Sequence, residues 1–232
     1  MSGGHLHINA DFDRFAAVTP DQHGWVASPQ PGVMRVMLDR VGGEVARATS
    51  LVRYAGNSVF PPHRHPGGEE ILVLEGTFSD EQGDYPAGWY LRNPPGSGHR
   101  PHSNRGALIF VKLYQMALQD RDVVRVDTRD PSVWSIADGR RLCRLWDKDG
   151  EKVLLERLCD MQSLPADMPG GMEVLVVEGE LSMEGRRYPK GSWLRLPVGF
   201  HPPMTSIGES IVFIKSGHLE RMPSEAFAQT PP

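Results

Sequence analysis

Residues 60–76 read Phe-Pro-Pro-His63-Arg-His65-Pro-Gly-Gly-Glu69-Glu-Ile-Leu-Val-Leu-Glu-Gly76, a pair of histidines followed by a turn and an apolar strand. Side chains two positions apart on a strand point to the same face, so His63 and His65 can reach one point inside a sheet. The Pro-Gly-Gly turn bends the chain and lets Glu69 return to that point from the next strand. His99 follows a second glycine-rich turn and offers a third imidazole. Three imidazoles and one carboxylate predict a site for a divalent first-row transition metal.

The composition is that of an ordinary globular protein. The chain has 232 residues, 25 glycines, 20 prolines and a formal net charge of -4. This length suits one large all-β unit or two small domains, and the glycine and proline content favours short strands joined by tight turns. The mixed, slightly negative charge gives no electrostatic footprint for nucleic acid. We therefore expect no nucleic-acid partner.

The location is predicted from what the sequence lacks. No apolar run approaches the length needed to cross a bilayer, and no signal peptide is visible at the start, so we expect no membrane partner and a cytoplasmic location. The two cysteines, Cys143 and Cys159, form no CxxC pair. A thiolate zinc finger is excluded because the sequence has no cysteine cluster. Both cysteines are predicted to be buried, reduced thiols.

The chain repeats itself. Residues 65–76 match 168–179 at an offset of 103 positions, and 85–94 and 108–112 match 188–197 and 211–215 at the same offset. Two copies of one short-stranded β unit predict tandem barrels or sandwiches. We place an N-terminal extension and the metal-binding barrel in residues 1–116, a charged linker in 117–135, and a metal-free second barrel with a C-terminal tail in 136–232.

The second copy separates fold from function. Its turns retain Pro-Gly-Gly and Tyr-Pro-x-Gly, and Arg92 recurs as Arg195, so we interpret these as structural and the arginines as tying strands to a carboxylate. The metal ligands are not retained. The places of His63, His65 and Glu69 are taken by Ala166, Met168 and Met172, and only His201 remains near the place of His99.

Two residues compete with the chosen ligands. Glu70 has the counterpart Glu173 in the metal-free copy, and strand alternation turns it away from Glu69, so Glu69 is preferred. His102 does not fit the spacing that follows the second turn, so His99 is preferred.

Three further groups have two interpretations each. For the terminal pair His5 and His7, disorder or an edge strand is preferred to a metal site because the pair lies near the chain terminus. The second group is Met168, Met172 and His201. Its two thioethers and its imidazole could hold cuprous ion, although methionines commonly fill core space. Aromatic residues near the site could line a substrate pocket or belong to the core; they are Tyr54, Trp89 and Tyr90.

The spacing from His63 to Gly76 and from Pro94 to His99 resembles the two signature motifs of the cupin superfamily. The amino acids at 38–40, 78–81 and 91–96 further resemble the cupin domain of ChrR-type anti-sigma factors and their stand-alone two-barrel relatives. This resemblance extends over about residues 9–219. The resemblance implies an all-β bicupin of two tandem jelly-roll barrels. It also implies that the first barrel holds the metal inside, through His63, His65, Glu69 and His99.

The resemblance leaves two functions open. The anti-sigma proteins grip their sigma factor with an N-terminal helical zinc module of histidine and cysteine ligands, and the first fifty residues here contain no cysteine. A sigma-factor partner is therefore not expected. Cupin-like relatives include non-haem iron dioxygenases that cleave diketones and hydroxy-ketones. The hypotheses are such a dioxygenase and a zinc-binding sensor of an oxidative-stress response, with simple stabilisation of the barrel as a third.

The expected cofactor is one divalent ion. Zn²⁺ and Fe²⁺ are the first candidates, and Mn²⁺ and Ni²⁺ are the others. The expected partner is a small-molecule substrate or ligand, and homodimerisation by exchange of N-terminal strands is left open. The sequence assigns no catalytic residue.

Overall fold

The computed structural model of the protein describes residues 6–43, 45–165 and 170–220. Within these residues the chain is built of strands and turns, and its helical segments are the two 3-10 turns Pro20–Gln22 and Pro131–Val133. The all-β prediction is confirmed. No helix of the described chain is both long enough and apolar enough to cross a bilayer.

The described residues contain 21 strands. In chain order these are β1 (Leu6–Ile8), β2 (Ala16–Val18), β3 (Val26–Ala27), β4 (Val33–Gly42), β5 (Ala46–Tyr54), β6 (Ser58–Val59), β7 (His63–His65), β8 (Glu69–Asp80), β9 (Gly83–Pro86), β10 (Trp89–Asn93), β11 (Ser97–His99), β12 (His102–Ser103), β13 (Ala107–Leu113), β14 (Val124–Asp127), β15 (Trp134–Ala137), β16 (Arg140–Lys148), β17 (Glu151–Leu158), β18 (Met172–Met183), β19 (Arg186–Pro189), β20 (Trp193–Leu196) and β21 (Met204–Ser216).

The strands belong to two compact units. Among the described residues, the first unit comprises 6–10 and 24–129, and the second comprises 11–23 and 130–220. The main path of the first sheet is β1-β4-β5-β13-β8-β10-β14, and that of the second is β15-β16-β17-β21-β18-β20-β2. The two orders correspond strand for strand, as the sequence repeat predicts.

Each unit buries its own apolar core. In the first, alternate residues of β8, including Ile71 and Val73, pack with Phe78 and with Ile109 of β13. In the second, the core continues over positions whose counterparts in the first unit are polar, including Met172, Met183 and Leu196. The first unit therefore has a polar end to its interior, whereas the second is apolar throughout this region.

The units do not follow the predicted boundaries at every point. Segment 117–135 contains β14, which pairs with β10, and the start of β15, and the division near residue 130 lies within it. Residues 11–23 precede the first barrel in the chain, yet their strand β2 pairs with β20 of the second sheet. This pairing joins residues about 180 positions apart, and a local sequence pattern carries no signal for it.

The recurring arginines have structural partners. Arg92 is buried, with Nη2 3.0 Å from Asp120 Oδ2 and Nη1 3.6 Å from Glu70 Oε2. The prediction that Arg92 ties strands to a carboxylate is confirmed. Arg195, also buried, donates to the backbone carbonyl of Asp11 at 2.8 Å and lies 4.1 Å from the ring centre of Phe12. Arg195 thus holds the N-terminal segment on the second unit.

Candidate metal centre

Two short strands and one turn bring the predicted ligands together. Strand β7 pairs antiparallel with β11, so that His63 lies opposite His99 and His65 lies opposite Ser97. The amide of Gly68 donates to the carbonyl of His65 at 3.1 Å and closes the Pro-Gly-Gly turn. Strand β8 then begins at Glu69. The turn therefore delivers the carboxylate to the strand end that carries the histidines.

The three imidazoles form one cluster. One ring nitrogen from each of His63, His65 and His99 lies within 4.8 Å of the other two. The Nε2 atoms of His65 and His99 are 3.0 Å apart, and Glu69 Oε2 is 3.5 Å from each of them. His65, His99 and Glu69 are buried, whereas His63 is half-buried. One side of the cluster is thus enclosed by protein and the other lies nearer the surface.

These separations fit a shared divalent ion. Two nitrogens that each lie about 2.1 Å from one ion are about 3.0 Å apart at a right angle and about 3.4 Å apart at the tetrahedral angle. The observed 3.0 Å between the two nitrogens matches the first value, and the 3.5 Å from each nitrogen to Glu69 is close to the second. The donor set of imidazole and carboxylate suits zinc, iron, manganese and nickel alike. The cluster therefore supports a divalent metal without selecting one.

The electrostatic environment differs between the two buried histidines. Burial lowers the pKa of His65, and the nearby His99 and His63 lower it further against the opposing charge of Glu69. Burial would also lower the pKa of His99, but its hydrogen bond with Asp80 and the charge of Glu69 raise it overall. The lowered pKa favours the neutral form of His65, which is the form that binds a metal. The raised pKa of His99 reflects the carboxylate of Asp80, which lies behind its ring.

The residues behind the cluster fix its orientation. Nδ1 of His63 is 2.9 Å from the carbonyl oxygen of Pro61, and Nδ1 of His99 is 3.3 Å from Asp80 Oδ2. Nδ2 of Asn93 donates to Glu69 Oε2 at 3.0 Å. Acceptors on the distal imidazole nitrogen set the ring tautomer and aim the other nitrogen at the metal. This is the arrangement expected around a metal site.

Asp80 and Asn93 were missed by the sequence reasoning. They are the last residues of β8 and β10, and both positions lie outside the two histidine motifs. A signal was present in the repeat, because the same positions become Met183 and Leu196 in the copy that lacks the ligands. Polar residues that are replaced by apolar ones in the copy without the ligands are the residues expected to support the site.

A small cavity adjoins the cluster. It has about 80 Å³ of water-accessible space. Its wall contains both buried histidines together with polar side chains, among them Asp80, Asn93, Ser97 and Arg125. Because one water needs about 10–15 Å³ by this measure, the space suits a few waters or a small ligand.

The aromatic candidates belong to the core of the first unit. The ring centres of Tyr54 and Phe78 are 5.8 Å apart, and those of Trp89 and Tyr85 are 5.5 Å apart. Burial and the charge of Glu69 raise the pKa of Tyr54. Tyr90 is fully buried. None of the three predicted pocket residues lines the described cavity, which agrees with the core interpretation of the aromatic residues.

The competing ligands lie elsewhere. Glu70 faces Arg92 rather than the cluster. His102 lies on β12, where it is paired with Val59 of β6 and with Ser79 of β8. His7 lies on the edge strand β1, and His5 is outside the described residues.

The remaining candidates can be followed only in part. Met172 is packed in the apolar core of the second unit, while Ala166 and Met168 fall outside the described residues. Cys143 is buried as predicted, but the prediction for Cys159 is wrong because that thiol is exposed. It directly follows β17, at a point where the chain enters a surface turn.

Residues 13–117 match the family model of the ChrR cupin-like domain. The match covers a little less than half of the chain and makes this part of the protein similar to a cupin-like domain. The matched residues include all four predicted metal ligands of the chain. No protein of curated function matches it at the level of sequence.

Solved structures agree with the fold. A Nostoc punctiforme protein provisionally designated a dioxygenase superposes with a TM-score of 0.71 at 15% identity, covering 91% of this chain and 86% of that protein. Escherichia coli Ylba gives 0.65 at 15% identity, with 93% and 94% covered. The pirin YhhW of Escherichia coli, in complex with nickel(II), gives 0.63 at 13% identity, with 88% and 98% covered. Likenesses at these identities establish the fold and leave the activity to the site.

Proposed function

We propose that the first barrel of this protein is a cupin barrel that binds one divalent transition metal through His63, His65, Glu69 and His99, and that the protein is a metal-dependent dioxygenase of small oxygenated organic molecules. The observation that carries the proposal is the convergence of three imidazoles and a carboxylate beside a small polar cavity. The metals considered are Fe²⁺ and Zn²⁺ first, then Mn²⁺ and Ni²⁺. The substrate class is that of diketones and hydroxy-ketones.

An iron ion bound there would supply redox and Lewis-acid chemistry, with coordination positions left for oxygen and a substrate. The protein supplies binding, orientation and exclusion of water. Asp80 and Asn93 hold His99 and Glu69 in place through hydrogen bonds of 3.3 and 3.0 Å. Apolar side chains such as Phe78, whose ring centre is 5.9 Å from that of His99, keep the inner side of the cluster dry.

The test is metal content and oxygen uptake on anaerobically purified protein, compared with Glu69→Ala. The matched control is Glu75→Ala, because Glu75 is an exposed carboxylate on the same strand. We expect stoichiometric iron in the wild type and in the control, its loss in Glu69→Ala, and oxygen consumption with a member of a diketone and hydroxy-ketone panel. Equal metal content in Glu69→Ala would contradict the assigned ligand set. Iron-loaded protein that consumes no oxygen with any panel member would contradict the dioxygenase.

The match to the ChrR cupin-like domain favours a second candidate, a zinc-binding regulatory module that responds to oxidants through a partner protein. This alternative predicts stoichiometric zinc, release of zinc on peroxide treatment and no turnover. Zinc that survives peroxide would instead favour a Lewis-acid or structural role.

A further inference from the structure

Arg125 enters the site from outside the sequence motifs. It lies on β14, in the segment predicted to link the barrels, and it pairs opposite Leu91 of β10. One of its terminal nitrogens, Nη2, donates to Asn93 Oδ1 at 2.6 Å and lies 3.3 Å from Gln82 Oε1. The other, Nη1, donates to the carbonyls of Arg92 and Val124 at 3.2 and 2.8 Å. These four contacts fix the guanidinium at the cavity wall.

Within the described residues Arg125 forms no ion pair, although its charge acts on the nearby carboxylate of Asp80. Among the described residues no carboxylate lies within 4.0 Å of its nitrogens, and the four contacts above are to neutral oxygens. Asp80 lines the same cavity, but its Oδ2 is engaged with His99 and its Oδ1 accepts from the amide of Gln82 at 2.8 Å. A half-buried guanidinium bound only to neutral groups is ready to pair with an external anion.

Two buried polar atoms of the cavity residues also lack protein partners. Nε of Arg125 and Oγ of Ser97 are buried and make no hydrogen bond to the described residues. Buried polar groups are almost always paired, so each such atom calls for a partner. Both atoms can donate, and their residues line the same cavity. Both atoms are shielded from solvent, so a ligand reaches them only when the side chains turn toward the cavity, and a carboxylate offers two acceptor oxygens for them.

The charged groups around the cavity indicate which charge the bound ligand should carry. Glu69 and Asp80 each contribute one negative charge, and Arg125 contributes one positive charge. A divalent ion at the proposed site leaves a net charge of about +1, which a monoanion neutralises. The space of about 80 Å³ limits the ligand to a few non-hydrogen atoms.

We propose that Arg125 and Ser97 form a subsite for the carboxylate of a small organic acid beside the metal, so that the substrate of this protein is a small oxygenated carboxylate. This inference rests on the proposed metal site and specifies the substrate class. In this arrangement Arg125 is a binding residue, and through Asn93 it also positions Glu69.

Calorimetric titration of the zinc-loaded protein tests the subsite, with pyruvate as the probe and its neutral ester methyl pyruvate as the comparison. Zinc content is measured first for every variant. Arg125→Met removes the guanidinium. Ser97→Ala removes a hydroxyl without a described protein partner and so leaves the fold unchanged. Arg105→Met is the matched control, since Arg105 is an exposed arginine of the same unit.

We expect pyruvate to bind and methyl pyruvate not to bind. Because a hydrogen bond to a charged group is stronger than a neutral one, Arg125→Met should weaken pyruvate binding about ten- to a hundredfold and Ser97→Ala about two- to tenfold. Arg105→Met should leave the binding unchanged. In Ser97→Ala the melting temperature should also stay at its wild-type value.

The outcomes separate the two proposals. Zinc-loaded wild type that does not bind pyruvate, or that binds methyl pyruvate equally well, overturns the carboxylate subsite and leaves the metal site standing. Unchanged pyruvate affinity in both Arg125→Met and Ser97→Ala also overturns it. A wild type that takes up no zinc or other divalent metal contradicts the proposed function itself.

Discussion

Three polar residues at the end of the first barrel's interior have apolar counterparts in the second. Glu69, Asp80 and Asn93 correspond to residues of the second core, namely Met172, Met183 and Leu196. Glu69 and Asp80 contact the histidines and Asn93 donates to Glu69, whereas the apolar residues pack against each other. Buried polar groups are tolerated when every member is satisfied, so the set has to be retained or lost together.

Asp80→Asn should weaken metal binding about ten- to a hundredfold, because the carboxylate that orients His99 becomes a neutral amide. Competition with a chelator of known affinity measures the change. Glu81→Gln is the control, since Glu81 is a neighbouring exposed carboxylate whose described bond is to the amide of Arg100. A wild-type affinity in Asp80→Asn would show that Asp80 does not support the site.

Exchanging the residues between the barrels should have opposite effects. Met172→Glu buries a carboxylate in the apolar cluster and should lower the free energy of unfolding by about 3–5 kcal/mol. Glu69→Met should abolish metal binding and leave the metal-free protein as stable as the wild type or more so. Urea unfolding of the metal-free proteins measures both changes. Met172→Glu with wild-type stability would mean that the second barrel retains polar partners for a carboxylate.

At the scale of elements, β8 and β18 carry the repeat most clearly. Each spans twelve residues and contains a glycine at a positive φ, Gly76 at 68° and Gly179 at 76°. A Cβ at Gly76 would collide with the carbonyl oxygen of Gly106, and one at Gly179 with that of Glu209. Near both glycines the pairing register shifts by a bulge. The shared Glu-Gly is therefore a requirement of strand pairing, not of metal binding.

Gly76→Ala and Gly179→Ala should each lower the free energy of unfolding by more than about 2 kcal/mol, because backbone strain adds to a collision with backbone. Gly185→Ala is the matched control. It has φ 77° but open space at the Cβ position, and it should cost only about 1 kcal/mol. Equal costs in all three variants, measured by chemical denaturation, would show that the close backbone approach is unimportant.

At the scale of the whole molecule, the candidate metal site lies in one of two similarly built units. The histidine cluster, its supporting residues and the cavity all lie between residues 24 and 129. The second unit repeats the strand order without the ligands. A metal that binds only the first unit can add stability only there.

Removal of the metal should therefore accelerate amide exchange in β7, β8 and β11 and leave β16 and β17 unchanged. At a metal concentration a hundredfold above its dissociation constant, the stabilisation of about 2.7 kcal/mol corresponds to about a hundredfold slower exchange through openings that release the ion. Hydrogen exchange read by mass spectrometry, with and without a chelator, measures this. Equal acceleration in both units would contradict a metal site restricted to the first.

The sequence alone determined the all-β class, the twofold repeat and the cluster His63, His65 and His99 with Glu69 nearby. Each of these is recognised from short stretches of sequence: a spacing of two residues on a strand, a turn of three residues, and short segments that recur farther along the chain. The same locality distinguished Glu69 from Glu70, because alternation along β8 places them on opposite faces.

The tertiary structure alone decided which distant residues complete the site. Asp80, Asn93 and Arg125 meet the cluster through the ends of β8 and β10 and through β14, and the order of strands in the sheet sets their distances. It also decided that residues 11–23 belong to the second unit. Pairing between strands far apart in the chain depends on the packing of the whole sheet, and no short segment of sequence encodes it.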